Sequence, residues 1–265
     1  MTSPRTLAGR RIVVTRRPEQ AGRLVGLLQD RGAEVLEVPA TAIGPPDDPG
    51  PLDRALDDLG RFDWVVFTSA NAVTAVRDRL AARGRPLRLG ESGLRLASVG
   101  PATTRALGEA FPDDAVALEP ESEFRAAGLV RAFAAAGCRG AALFVPASSR
   151  AREELPSGLR DLGAEVTVVA AYAPVEPPGL APAVSGCLDE GFDAATFAAP
   201  SAVEAFAAAA PGGVKGRPAV VIGPTTEVAA RKAGFRVLAT AAPSTAEGLV
   251  AALERVLGPS PPVGS

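Results

Sequence analysis

The chain has 265 residues, of which 47% are hydrophobic, and its 28 Lys and Arg against 30 Asp and Glu leave a formal net charge of −2. That length supports one large or two small domains with a full core, and the charge gives no bias toward nucleic acid. There is no histidine, which excludes Ser-His-Asp and Cys-His catalysis, histidine metal sites and histidine proton shuttles.

In chain order, 11–15 reads as a short buried strand, and 16–20 turns into a helix with Leu24, Leu27 and Leu28 on one face. Gly32 ends that helix and 35–38 is the next strand, which completes a βαβ unit. The stretch from Gly44 to Pro51 carries four prolines and is expected to be neither helix nor central strand. Strand 62–67 then leads through Thr68-Ser69-Ala70-Asn71 into a helix to Ala82. Strand 94–99 leads through Gly100-Pro101 into a helix to Ala110. Glu121 to Glu123 precede a helix through Ala135. Strand 141–145 follows, with Pro146 to Arg150 expected to open a helix that Gly163 ends. Strand 166–169 runs on to Tyr172, and Pro174, Pro177, Pro178 and Pro182 form a second proline cluster. Strand 193–198 precedes a helix at Pro200-Ser201, where Ser201 and Glu204 have capping-box spacing. Strand 219–222 meets Gly223-Pro224-Thr225-Thr226 and a helix. Strand 236–238 is followed by a last helix, with Ser244 and Glu247 spaced as a second capping box. Residues 259–265 read as a flexible tail.

The chain repeats itself. Gly32-Ala33-Glu34-Val35 returns as Gly163-Ala164-Glu165-Val166, and Phe67 to Val73 returns as Phe197 to Val203. Gly100-Pro101 returns as Gly223-Pro224, and Gly128-Leu129-Val130 as Gly248-Leu249-Val250. Four matches in one order indicate two copies of one α/β unit. The fold class is therefore α/β: two similar lobes, each a doubly wound parallel sheet. Both proline-rich stretches fall after the βαβ portion of their copy, and linkers mark boundaries. The expected lobes are 1–41 with 183–258, and 52–173, so that one lobe is inserted into the other through linkers 42–51 and 174–182. Sequential domains are the alternative. Two crossings would make a hinge.

Phosphate-binding motifs of the GxxxxGK[ST] and GxGxxG type are absent. Cys138 and Cys187 lack metal-ligand spacing and are expected as reduced thiols. The longest apolar runs are too short for a bilayer. Met1 to Arg11 lack the apolar core of a signal peptide, so a cytoplasmic location and no membrane partner are expected. What remains is a set of strand-to-helix turns with small hydroxyl residues: Thr15-Arg16, Thr68-Ser69-Ala70, Gly100 to Thr103, Ser148-Ser149-Arg150, Pro200-Ser201 and Gly223-Pro224-Thr225-Thr226. Open α/β sheets bind ligands at this carboxyl edge. Helix N-termini there attract anions. Two such edges across a hinge suit a ligand with several carboxylates; each hydroxyl alone reads as a helix cap before a ligand contact, and the collective pattern carries the expectation. Tyr172, the only tyrosine, ends a strand beside the second linker. It reads as a hydrogen-bond donor or general acid, or as an aromatic that packs a lobe.

The order of these motifs resembles the uroporphyrinogen-III synthase family over about residues 10–257. The motifs are Val14-Thr15-Arg16, Phe67-Thr68-Ser69, Val99-Gly100-Pro101-Ala102-Thr103, Phe144-Val145-Pro146, the strand to Tyr172, Phe197 to Ser201, and Ile222 to Thr226. The resemblance implies two α/β lobes joined by two strands, and an enzyme that acts on the linear tetrapyrrole hydroxymethylbilane. Such an enzyme expels the terminal hydroxyl, inverts ring D through a spiro-pyrrolenine and closes the macrocycle with loss of water, using no metal or organic cofactor. It implies that Tyr172 assists departure of the hydroxyl. Thr103, Thr225 and Thr226 would line the cleft, while Ser69, Ser148, Ser201 and neighbouring backbone would bind acetate and propionate groups. Ala198 and Ala199 stand where the family often carries Thr or Ser, which leaves backbone contacts there. A monomer is expected, with transient handover of substrate from hydroxymethylbilane synthase. A non-catalytic two-lobed small-molecule binding protein is the alternative reading.

Overall fold

The computed structural model describes residues 5–86, 88–89 and 93–258. In chain order its elements begin with β1 (Arg11–Val14), α1 (Pro18–Asp30), β2 (Glu34–Glu37), β3 (Ala42–Gly44), α2 (Gly50–Asp57), β4 (Trp64–Phe67) and α3 (Ala70–Ala82). There follow β5 (Arg95–Ser98), α4 (Pro101–Ala110), β6 (Val116–Leu118), α5 (Ala126–Ala136), β7 (Ala142–Ser148), α6 (Glu154–Asp161) and β8 (Glu165–Val175). The last are α7 (Leu180–Glu190), β9 (Ala194–Phe197), α8 (Pro200–Ala209), β10 (Pro218–Val221), α9 (Pro224–Ala233), β11 (Arg236–Thr240) and α10 (Ala246–Leu257). They form two compact units, Met1–Ala42 with Val175–Ser265, and Ile43–Pro174.

The discontinuous unit holds a sheet of order β11-β10-β9-β1-β2, parallel at every pairing. The continuous unit holds a sheet of order β3-β8-β7-β4-β5-β6, parallel from β8 to β6. Read from β6, the order β6-β5-β4-β7-β8 matches β11-β10-β9-β1-β2 strand for strand. The continuous unit takes its strands in chain order from β4 to β8. The discontinuous one takes β9, β10 and β11 from one end of the chain and β1 and β2 from the other. This explains the sequence repeat: the paired Gly-Ala-Glu-Val segments enter β2 and β8, and the paired Gly-Pro turns leave β5 and β10.

Alternation along each strand sends side chains to two faces. In the continuous unit Val65, Phe67, Leu96 and Phe144 pack under α2, α3 and α4, while Trp64, Val66, Leu143 and Val145 pack under α5 and α6. In the other, Val13, Ala195, Phe197 and Val221 meet α7, α8 and α9, while Ile12, Val14, Ala194 and Val220 meet α1 and α10. Strands buried on both faces read as continuous apolar runs, as Trp64-Val65-Val66-Phe67 does.

Several local expectations change. Pro146 to Arg150 do not open a helix. β7 continues through Pro146 to Ser148, and α6 starts only at Glu154. Pro146 is tolerated because the β4 ladder is recorded only at Leu143 and Phe144, so no partner strand there needs its missing N–H. Residues 42–51 and 174–182 hold β3, the end of β8 and the starts of α2 and α7. Gly50 and Pro51 are helical after all, since proline in a first turn gives up an N–H that has no intrahelical partner. Neither capping box forms. Ala199 is the N-cap of α8 and has no side-chain bond, which leaves Ser201 two residues too late. The cap of α10 is Thr245, whose hydroxyl accepts from the Gly248 N–H.

Candidate functional site

Parallel strands bring all their carboxyl ends to one edge of each sheet, where the helices also begin. In the continuous unit that edge assembles a pocket of about 260 Å³. Its walls carry the hydroxyl residues Thr68, Ser69, Ser148 and Tyr172, with Val145, Ala147, Val168, Leu155 and Pro156 behind them, and Arg152 and Glu154 beside them.

Tyr172 is placed by the β7–β8 ladder. It lies opposite Ser148, and its carbonyl accepts the Ser149 N–H at 2.8 Å. Its ring packs into the core below α3, and its Oη lies 3.1 Å from Ser69 Oγ. Ser69 is itself the N-cap of α3: its backbone is extended, and its Oγ accepts the Ala72 N–H at 3.2 Å. Either hydroxyl can donate in the Ser69–Tyr172 pair, which fixes the Tyr172 Oη at the wall of the pocket.

The remaining turns divide into exposed and interior groups. Ala70, Ser149, Arg150, Ser201 and Thr225 are exposed, and Pro200 is half-buried. Arg150 donates its N–H to Ser148 Oγ at 3.2 Å, which stiffens the turn after β7. Gly100 and Gly223 are buried at the N-caps of α4 and α9. Thr103 and Thr226 are expected to line a cleft, but both face the interior of their own unit, 3% and 1% exposed. Each falls on the third residue of its helix, where the helical period turns it toward the sheet. Thr15 is likewise fully buried. Its Oγ1 donates to the Thr196 carbonyl at 2.7 Å, and Thr196 Oγ1 answers to the Val13 carbonyl at 2.9 Å. The hydroxyl thus ties β1 to β9 and is taken up by the fold. Arg16, the next residue, has a buried Nε that meets no acceptor.

The two Gly-Pro turns share one further device with its partners exchanged. In the continuous unit Thr104 on α4 bonds Glu119 just after β6; in the other, Glu227 on α9 accepts from Thr240 on β11 at 2.6 Å. The Thr240 hydroxyl, and then Arg231, hold the Glu227 carboxyl below its ordinary range. Arg152 and Glu154 of the pocket were not anticipated from sequence; their signal is the continuation of the Ser148 to Arg150 turn by four residues.

A family model described as Uroporphyrinogen-III synthase HemD matches residues 22–251. The uroporphyrinogen-III synthase of Synechococcus elongatus is 36% identical over 166 residues, which cover 63% of this chain and 61% of that protein. The chloroplastic uroporphyrinogen-III synthase of Oryza sativa is 30% identical over 238 residues, 85% of this chain and 73% of that protein. Among solved structures, the uroporphyrinogen-III synthetase of Helicobacter pylori aligns with a TM-score of 0.58 at 15% identity, over 91% of this chain and 97% of that one. At that identity the likeness concerns the fold.

Proposed function

This chain belongs to the uroporphyrinogen-III synthase family, and from that membership we propose that it converts hydroxymethylbilane into uroporphyrinogen III. Ring D is inverted, and water is released as the macrocycle closes. The observation that carries the site assignment is the Tyr172–Ser69 hydroxyl pair on the wall of an edge pocket. Departure of the substrate hydroxyl as water requires one proton, which Tyr172 supplies. Ring closure releases one proton, which restores the phenol, so the cycle is balanced without a cofactor. Loss of the hydroxyl leaves a cationic azafulvene, and oriented hydroxyls and amides stabilise such charge without reorganising.

Within the continuous unit the carboxylate contacts are assigned to amides at the start of α3 and to Ser148, Ser149 and Arg150; within the discontinuous unit they are assigned to amides at the starts of α8 and α9, to Ser201 and Thr225, and to Arg16, whose buried Nε meets no acceptor. The hydroxymethyl compound can close unaided to the uninverted isomer. The enzyme's task is therefore to hold the chain so that the inverted ring attacks. The protein acts as a monomer in the cytoplasm and receives its substrate from hydroxymethylbilane synthase. Among the described residues no helix is long and apolar enough to cross a membrane.

The test is to generate hydroxymethylbilane with the preceding enzyme, add the protein, oxidise the products and resolve the isomers. The type III isomer is expected; exclusive type I product would overturn the assignment. Tyr172→Phe should lower turnover by roughly tenfold, less than the usual effect of a general acid because the hydroxyl leaves readily by itself.

A further inference from the structure

The two Gly-Pro turns are twins in sequence, but the loops packed on them are not. In the discontinuous unit the loop before α10 sets Ser244 beside Gly223, where a Cβ would lie 3.4 Å from Ser244 Oγ. In the continuous unit the loop between β6 and α5, residues 119–125, sets Phe124 over Gly100, where a Cβ would lie 2.7 Å from the Phe124 Cβ. Phe124 is nevertheless 52% exposed. The ring covers the turn on one side and faces solvent on the other.

This loop departs from its twin at each position that presents the ring. Glu123 has φ of 58°, the one positive value at a non-glycine residue among those described. The N-cap of α5 is Arg125, with no side-chain cap, where α10 has the bonded Thr245. The costs are of the kind that persist at functional positions. The loop is also stiff: Glu123 pairs with Arg125 and Arg131, and its carbonyl packs so close to Gly128 that a Cβ there would lie 2.0 Å away. The same seven residues carry Glu119, Glu121 and Glu123 against one arginine, a poor setting for a carboxylate and a good one for a flat ring that takes on positive charge.

We propose that Phe124 is a stacking platform for one pyrrole ring of the tetrapyrrole, so that the Gly100 turn recognises a ring. This rests on the reading that the carboxyl edge binds the tetrapyrrole. An aromatic face held in a rigid loop at this edge takes a planar heterocycle by offset stacking, and attracts it more strongly when the ring becomes cationic.

The experiment compares wild type with Phe124→Ala, Phe124→Ser (the residue of the twin loop) and Phe124→Trp. It measures affinity for the octacarboxylic porphyrin formed by oxidising the product, KM for hydroxymethylbilane, and thermal midpoint. Ala and Ser should weaken affinity and raise KM by roughly tenfold, Trp should restore both, and the midpoint should stay put. Affinity within twofold of wild type in the Ala variant overturns the proposal. So does a loss that Trp does not rescue, or an absence of porphyrin binding by wild type. If wild type yields only type I isomer, the assigned reaction fails, while the porphyrin affinities still decide the role of Phe124.

Discussion

Ser69 performs two tasks with one oxygen, and removing it should expose both. Ser69→Ala deletes the acceptor that caps α3, worth about 1 kcal/mol. It also deletes the partner of Tyr172 Oη, a hydroxyl pair worth about 1 kcal/mol more. Tyr172→Phe removes the pair but keeps the cap. The expected losses are therefore about 2 kcal/mol for Ser69→Ala and about 1 kcal/mol for Tyr172→Phe. The double variant should lose no more than Ser69→Ala alone, a coupling of about 1 kcal/mol. Ser69→Thr should retain the cap. Urea unfolding followed by tryptophan fluorescence reads this cleanly: Trp64, the single tryptophan, lies in β4, the strand that feeds Ser69. Equal losses in the two single variants would refute the capping role. A coupling near zero would refute the hydroxyl pair.

Gly128→Ala and Gly248→Ala should each destabilise their own unit by about 2 kcal/mol or more, because the new Cβ would lie 2.0 and 1.9 Å from the carbonyls of Glu123 and Pro243. Gly108→Ala, in α4 with nothing within 4 Å, should instead stabilise by up to about 1 kcal/mol; the same sign at all three positions would contradict the packing. Asp53 on α2 accepts from Arg79 Nε on α3 at 2.6 Å, and that bond holds its carboxyl below the ordinary 3.8. Its contribution to stability is present above pH 3.8 and is lost as pH falls through the lower folded value. Asp53→Asn should therefore weaken the protein at neutral pH and flatten the acid limb of its stability curve; an unchanged acid limb would count against the pair. Burial pushes the Cys187 thiol up to about 11 and also raises Cys138. Neither should react with a disulfide reagent at pH 8 until the chain unfolds, and rapid labelling of the folded protein would show the thiols to be open.

The repeat was legible because it is carried by glycines with steric reasons to stay. Gly128 and Gly248 both lie under a loop carbonyl, and such positions keep their identity when other residues drift. The helices α2 and α7 were illegible for a complementary reason. Pro51 and Pro182 stand in first turns, where proline is welcome, but a reader sees only a proline cluster. β6 is too short and half-exposed, Val-Ala-Leu, to give a period. The capping boxes failed by two residues at Ser201 and by one at Ser244, since each competes with neighbours for a place decided by the entry angle of the chain. At the site, hydroxyl residues at strand ends were readable one by one. Whether they turned inward, as Thr103 and Thr226 do, depends on the helical phase of the residue after Gly-Pro. The meeting of Ser69 with Tyr172 depends on β4 and β8 flanking β7, which no local pattern states.

β1 sits at the inside of its sheet, between β2 and β9, and Thr15 is bonded to Thr196, 181 residues away. At roughly 5–20 residues per second, synthesis separates these two residues by about 10–35 s. During that interval Ile12, Val13 and Val14 have β2 on one side and an open strand edge on the other, while the inserted unit has all its strands and can fold first. The first of the described strands is thus among the last of them to be secured. The vulnerable moment of this protein's life falls on the ribosome, with the open edge of a parallel β1–α1–β2 unit waiting for β9. Slowing translation after β8 should lengthen that exposure without changing the finished fold.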